Sequence, residues 1–352
     1  MPSSISETSS AINRSMVAST LPHIRNMVRD NVSDATPLLS FLMGKLGGQH
    51  RKSVGFAGDT GDGIPGVIVG GRDIHVPVQL TENQTPASYS GYDPIDITAQ
   101  DTDEYALFPI RQVAGSLSIS GREMRGNKGQ AAIYNLMQAK VSRLTNDMRM
   151  ELNRQAISDG TGNGGKDILG LAAIVSTSTL ANISPTTYPK WQPGGAAAGT
   201  FANDRHGIAT TVTFSSAGLD TMRAMMIKLT FGTDGPDAIF ASDFVLSAYV
   251  DICEGNIQYN QTNLADASFR TAQYQGVPIY SEHALNNVAA NGQMYFLNSR
   301  HIQFVRDSEG DFTWIDEGVR PANQDVFTKL MVVEGNVVTD NRRMLGKIVS
   351  IT

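Results

Sequence analysis

Gly160-Thr161-Gly162-Asn163-Gly164-Gly165-Lys166 fills the first seven positions of a phosphate-binding loop, in which backbone N–H groups and a lysine cradle a nucleotide's phosphates. The eighth position must offer a hydroxyl to magnesium, and here it is Asp167, a negative charge where phosphate belongs. Such a loop also opens a helix, whose positive end faces the anion. This one follows a helical pattern and meets the negative end, so it reads as a glycine-rich helix stop. The six histidines (His23, His50, His75, His206, His283, His301) show no H-E-x-x-H spacing for zinc. There is no G-x-S-x-G nucleophile elbow. Asp101-Thr102-Asp103-Glu104 lacks the glycine and distal glutamate of a calcium loop. Cys253, the single cysteine, excludes an intramolecular disulfide and a multi-cysteine metal site. Trp191 and Trp314 could stack on a ligand, although an isolated tryptophan is ordinarily buried. No cofactor or metal is expected, and an enzyme reading needs an acidic site that one sequence does not reveal.

The element in front of the glycine cluster is a long amphipathic helix. Ile133, Met137, Val141, Leu144, Met148 and Leu152 keep one apolar stripe, while Lys140, Arg143, Asp147, Glu151 and Arg154 take the other face. A helix over residues 128–158 would be roughly 45 Å long. Upstream, the first fifty residues are polar and serine-rich, and residues 54–117 are rich in Gly, Pro and Asp, with strand-like runs at 66–69, 74–80 and 112–119. Downstream, a helix is expected from Ser216, with Leu219, Met222, Met226 and Leu229 on one face and Gly232 past its end. Residues 237–242 read as a buried strand, 244–253 as a short helix and 275–280 as another strand. Strand patterns dominate the tail at 294–297, 301–305, 312–315, 327–338 and 345–351. The class is α+β.

The chain has 352 residues, is 41% hydrophobic and carries a formal charge of −6. Its mean hydropathy is −0.17 and no apolar run is long enough to cross a bilayer, so no membrane role is expected. The start lacks the basic and apolar regions of a signal peptide, and the expected setting is a reducing cytoplasm during synthesis. The charge is unevenly spread. Residues 56–110 hold Asp59, Asp62, Asp73, Glu82, Asp93, Asp96, Asp101, Asp103 and Glu104 against Arg72 alone, a net −8. Residues 122–154 hold Arg122, Arg125, Lys128, Lys140, Arg143, Arg149 and Arg154 against Glu123, Asp147 and Glu151, a net +4. Residues 1–52 carry +3, from six bases and three acids. An acidic arm meant to lie on a basic surface is the sharper reading of this pattern. Sequence-specific nucleic-acid recognition is not expected, because the basic helix interleaves only Tyr134.

A polar arm, an acidic extended loop, a long helix ending in Asp159-Gly160-Thr161-Gly162 and then Ile168-Leu169-Gly170-Leu171 resemble the major capsid proteins of tailed bacteriophages, whose fold is the Hong Kong 97 type. Tyr188-Pro189-Lys190-Trp191-Gln192-Pro193 looks like the family's tryptophan loop, Pro236-Asp237-Ala238-Ile239-Phe240 like its central strand and Tyr274-Gln275-Gly276-Val277-Pro278-Ile279 like its small x-G-x-P strand. Glu334-Gly335-Asn336-Val337-Val338 with Asn341-Arg342-Arg343 looks like its closing strands. The resemblance covers about residues 110–352. It implies an N-terminal arm at 1–52, an extended loop at 53–115 reaching a neighbouring subunit, a peripheral domain with the spine helix at 116–166, a mainly axial domain at 167–290 and mainly peripheral strands at 291–352. It implies a virion shell of hexamers and pentamers of this chain around double-stranded DNA, assembled in the host cytoplasm with portal, scaffolding and decoration proteins. Residues 53–127 contain no lysine, so the loop-lysine crosslink of some family members is not expected and locking would be non-covalent. The contact residues expected between subunits are Asp59, Asp62, Asp93, Asp96, Asp101, Asp103 and Glu104 against Arg122, Arg125, Arg143 and Arg154, with Gly160, Gly162, Gly164 and Gly165 as a hinge. The alternatives are an encapsulin-like nanocompartment shell and an enzyme with an unrecognised acidic site.

Overall fold

A computed structural model of the chain describes residues 36–43, 66–126, 136–195, 207–212, 214, 216–254, 272–287, 292–315 and 324–351. In chain order the elements are α1 (Pro37–Leu42), β1 (Val67–Ile68), β2 (Asp73–Gln79), β3 (Asp103–Pro109), β4 (Arg111–Ser120), α2 (Gly121–Gly126), α3 (Leu136–Ile157) and α4 (Leu171–Ile174). There follow β5 (Ile208–Val212), α5 (Ser216–Leu229), β6 (Ala238–Ala241), α6 (Asp243–Glu254), β7 (Ala272–Tyr274), β8 (Val277–Ser281), β9 (Gly292–Leu297), β10 (Ile302–Asp307), β11 (Thr313–Trp314), β12 (Val326–Thr339) and β13 (Gly346–Ile351). The chain divides into two units, a larger one of Ala35–Gln112, Leu152–Glu309 and Glu334–Thr352, and a smaller one that includes Val113–Glu151 and Gly310–Val333.

The larger unit is built on a six-stranded mixed sheet in the order β5-β13-β9-β6-β8-β7. β6 is buried along its whole length, and its alternate residues serve two layers. Ile239 and Ala241 join Met222, Met226 and Leu229 of α5 and Val245 of α6 in one core. Phe240 points the other way and meets Phe41 of α1 edge-on, with ring centroids 5.3 Å apart. The x-G-x-P segment works as a turn. Gln275 and Gly276 both have positive φ (50° and 84°) and join β7 to β8. In the same unit β10 runs antiparallel to the second half of β12, with Ile302 opposite Thr339.

β2 and β3 form a two-stranded ribbon in register from Asp73 opposite Pro109 to Gln79 opposite Asp103. Ile74, Val76, Val78, Ala106 and Phe108 are buried on one side of it, and His75, Pro77 and Gln79 are exposed on the other. No strand is expected over residues 103–109. The run opens on two acids and closes on proline, and it becomes a strand because β2 supplies a complete partner.

In the smaller unit, Ser120 and Glu123 cap α2 reciprocally: Glu123 N donates to Ser120 Oγ (3.2 Å) and Ser120 N to Glu123 Oε2 (3.3 Å). Lys140 of α3 reaches the same Glu123 at 3.0 Å. Gly115 of β4 lies so close to α3 that a Cβ would fall 2.8 Å from Leu144 Cδ1. β11 pairs antiparallel with the first half of β12, Thr313 opposite Val332.

α3 holds 22 described residues, about 33 Å of helix; the expected start at residue 128 lies outside the described residues. Its stripe is half-buried at Val141 and Leu144 and buried at Met148 and Leu152. Arg122 and Arg125 lie on α2 (Gly121–Gly126). Of the tail strands, β9 and β13 complete the six-stranded sheet beside β5 and β6, while β10 and β12 pair with each other.

Candidate functional site

The glycine cluster is closed upon itself. Asp159 Oδ1 accepts hydrogen bonds from Thr161 N (3.0 Å) and Thr161 Oγ1 (2.7 Å), which hold its carboxyl below the usual carboxylate range. Gly160, Gly164 and Gly165 have φ of 76°, 69° and 79°, and a Cβ on Gly162 would collide with the Asp167 carboxylate. The aspartate that breaks the phosphate motif thus sits over the loop. All four glycines lie within the larger unit, and Gly160 is buried.

The histidines described are His75, His283 and His301; the other three lie outside the described residues. Among the described residues no group of three or more His, Cys, Asp or Glu could hold a metal ion, and no helix is long and apolar enough to cross a membrane.

Arg342 is a centre that its sequence run did not advertise. Its side chain is fully buried and faces backbone carbonyls rather than a carboxylate. Nε donates to Ile174 O (2.8 Å), Nη1 to Ser178 O (3.2 Å) and Trp191 O (3.1 Å), and Nη2 to Ser176 O. Burial lowers its pKa to about 10. Trp191 is buried as expected, its Nε1 donating to Leu180 O at 3.2 Å. Together they tie residues 174–191 back onto the fold at Ile174, Ser176, Ser178, Leu180 and Trp191. Asn336, from the closing-strand motif, is equally central, accepting from Leu169 N (2.9 Å) and donating to Pro109 O (2.7 Å).

Glu282 and Asn153 fasten α1. Glu282 Oε2 accepts from Leu38 N (3.1 Å), Glu282 Oε1 from Asn153 Nδ2 (2.8 Å), and Asn153 Oδ1 from Leu39 N (3.1 Å). Burial pushes the Glu282 carboxyl up despite these donors, with a smaller push from Asp243.

Beyond Leu80 N–Thr102 O (3.0 Å) the ribbon opens into an excursion without strand or helix, residues 81–101. Its turns are tied locally by Asn83 to Thr85, Asp93 to Ser90 and Asp96 to Thr98. Large side chains point into water: Tyr89 is 64% exposed, Tyr92 105%, Ile95 62% and Ile97 92%. Asp93, Asp96 and Asp101 lie in the excursion and Asp103 and Glu104 at the start of β3, all exposed. Glu82 is tied to Lys190, whose ammonium holds its carboxyl below the usual range. Asp59 and Asp62 lie outside the described residues. Of the bases, Arg122, Arg143 and Arg154 are exposed, and Arg125 is engaged by Asp325 at 2.8 Å. Sequence reasoning found the charges and missed the four apolar side chains among them, which carry no periodicity.

No protein-family model and no curated protein matches the chain. Solved structures do. The "Cyanophage A-1(L) capsid asymmetric unit" aligns with a TM-score of 0.63 at 16% identity, covering 94% of this chain and 96% of that one. The "Capsid of empty GTA particle computed with C5 symmetry" aligns at 0.60 and 9% identity, covering 94% and 95%. A structure described as "Mycobacterium phage Bobi" aligns at 0.56 and 12% identity, covering 96% and 97%. At these identities the likeness shows the fold: the chain has an α+β, Hong Kong 97-like capsid fold.

Proposed function

We propose that this chain is the major capsid protein of a tailed phage, assembling into an icosahedral shell of hexamers and pentamers around packaged double-stranded DNA. The observation that carries the reading is the excursion over residues 81–101, whose Tyr89, Tyr92, Ile95 and Ile97 are exposed with no core beneath them. An apolar patch rimmed by polar residues marks an interaction surface, and a capsid fold makes a second copy of the chain its partner. The acids Asp93, Asp96, Asp101, Asp103 and Glu104 cannot lie on their own kind. They complement the exposed Arg122, Arg143 and Arg154 of a neighbour. In this reading the six-stranded sheet with α5 and α6 serves as the axial part, α2 with most of α3 as the peripheral part, and Gly160–Gly165 as the hinge at the helix exit. The basic residues of 1–52 face the interior, where DNA or a scaffolding protein lies, and portal and decoration proteins are further partners of the shell.

Electron microscopy of the purified chain tests this. Closed icosahedral particles are expected, and only small soluble oligomers would refute it. Particles that enclose protein rather than nucleic acid would point to a nanocompartment. Reversing Arg143 and Arg154 to Glu should abolish particles while leaving the circular-dichroism spectrum of the subunit intact; normal shells from that double variant would remove the charge contact. Protease that clips residues 1–52 first from intact particles would place the arm outside.

A further inference from the structure

His301 lies where three turns of the larger unit meet. Asp234 belongs to the turn between α5 and β6, which Phe231 and Asp234 close with two backbone hydrogen bonds (2.8 and 3.2 Å). His301 ends the turn from β9 to β10, its N–H donating to Asn298 O at 3.1 Å. Asp340 follows β12, just ahead of the turn in which Asn341 Oδ1 accepts from Arg343 N at 3.2 Å. The imidazole reaches both carboxylates: Nδ1 is 2.8 Å from Asp340 Oδ1 and Nε2 is 3.1 Å from Asp234 Oδ2. All three side chains are largely shielded, 19% exposed for His301, 26% for Asp234 and 29% for Asp340.

A neutral imidazole has one N–H, and its other nitrogen is an acceptor; an ionised carboxylate only accepts. With a carboxylate at each nitrogen, a neutral ring satisfies one contact and sets two lone pairs against each other at the other. Imidazolium satisfies both. We propose that His301 is a proton-operated clasp: as imidazolium it ties the turn before β6 to the turn after β12, and on losing its proton it releases Asp234. Asp234 is the side that lets go because it keeps other partners, Asn298 Nδ2 at 2.9 Å and the Arg300 guanidinium at 3.9 Å. Asp340 has no other hydrogen-bond partner among the described residues. Its nearer nitrogen, Nδ1, keeps the remaining proton.

The charged groups around the ring come from each turn. Asp234 and Asp340 favour the proton, and Arg300 beside them opposes it. Asp237, on the approach to β6, is occupied by Ser299 N at 2.9 Å. Arg343 stacks over Phe231, its guanidinium 4.3 Å from the ring centroid. Burial alone would push the His301 pKa down, but Asp340 and then Asp234 outweigh it and hold it above the ordinary 6.5. Burial likewise works against ionised Asp234, yet Asn298 and His301 hold that carboxyl below its usual value. A histidine raised in the folded state stabilises fully below its unfolded pKa and loses that contribution as pH rises through the folded value. An aspartate lowered in the folded state loses its contribution as pH falls through its folded value. The clasp is therefore closed between these limits and opens at the alkaline one.

The test is a nitrogen-15 titration of the imidazoles in the full chain, with His301 assigned by its absence in His301→Gln, alongside hydrogen exchange of residues 231–235. Both ring nitrogens should be protonated at pH 6. The midpoint should lie above 6.5, and Asp340→Asn should lower it by about 1 pH unit or more. Exchange at 231–235, corrected for intrinsic pH dependence, should rise several-fold across that midpoint in the wild type. A ring neutral at pH 6, or exchange that does not change across the midpoint, would overturn the proposal. The wild-type titration decides it even where a variant fails to fold.

Discussion

Residues 175–195 and residues 81–101 are both long runs without strand or α-helix in the larger unit, yet the first is anchored by buried residues at 175, 180, 183, 185 and 191–194 and the second is exposed at nearly every position. The difference lies in who satisfies the backbone. In the first run Arg342, 151 positions further along the chain from Trp191, donates to the carbonyls of Ser176, Ser178 and Trp191. Trp191 in turn reaches back to Leu180 O. In the second run Glu82, at its root, pairs with Lys190 of the first, and beyond that root the bonds are local, two or three residues apart, and shape turns. An irregular segment becomes part of a core when a distant donor takes up its carbonyls. Without one, its apolar side chains stay exposed.

Breaking the first kind of closure should cost the fold most. Arg342→Met removes the donors of several buried carbonyls, and two or more orphaned acceptors at about 1–3 kcal/mol each predict a loss of about 3–5 kcal/mol in denaturant unfolding. A loss below about 1 kcal/mol would mean that water replaces the guanidinium and that the anchoring of residues 175–195 has another cause. Asn153→Ala comes next. It strips one partner each from Leu39 N and Glu282 Oε1, for about 1–3 kcal/mol.

Glu282 adds a pH signature. Its pKa is raised above the ordinary 4.5, so the folded chain holds the proton longer than the unfolded one. Stability should then fall as pH rises from 4.5 through the folded value, and Glu282→Gln should flatten that slope. Thermal midpoints of the two chains across pH 4–7 would expose the opposite sign, should it exist.

The regular parts of this fold were legible because periodicity reports burial. The stripe of α5 and the continuous apolar run of β6 predicted their own cores, and Gly232 with φ of 67° marks the helix exit as expected. β3 was not legible, since its strand character comes from β2 rather than from its own alternation. Arg342, Asn336, Asn153 and Glu282 were not legible as structural centres, because a buried polar residue reads like a surface one until its distant partners are known. Of the expected contact residues, Asp93, Asp96 and Asp101 are exposed on the excursion, Asp103 and Glu104 are exposed on β3, Asp59 and Asp62 lie outside the described residues, and Arg122 and Arg125 sit on α2. Asp167 was the residue that spoke clearly from sequence. It argued against phosphate, and its carboxylate lies where Gly162 alone leaves room.

The smallest effect on the fold should come from the excursion itself, and it separates the two regions most sharply. Tyr92 and Ile97 are 105% and 92% exposed, and an exposed substitution away from caps and networks ordinarily changes stability by no more than about 0.5 kcal/mol. Tyr92→Ser with Ile97→Ser should therefore leave the unfolding midpoint of the dissociated subunit where it was. In assembly the expectation reverses. If these side chains are anchors covered by a second copy, removing both should raise the concentration at which particles form by at least tenfold, the equivalent of about 1.4 kcal/mol per contact. A double variant that assembles at the wild-type concentration would show that the acids alone hold the excursion down. A variant that unfolds more easily would show that the excursion already packs within its own subunit, as residues 175–195 do.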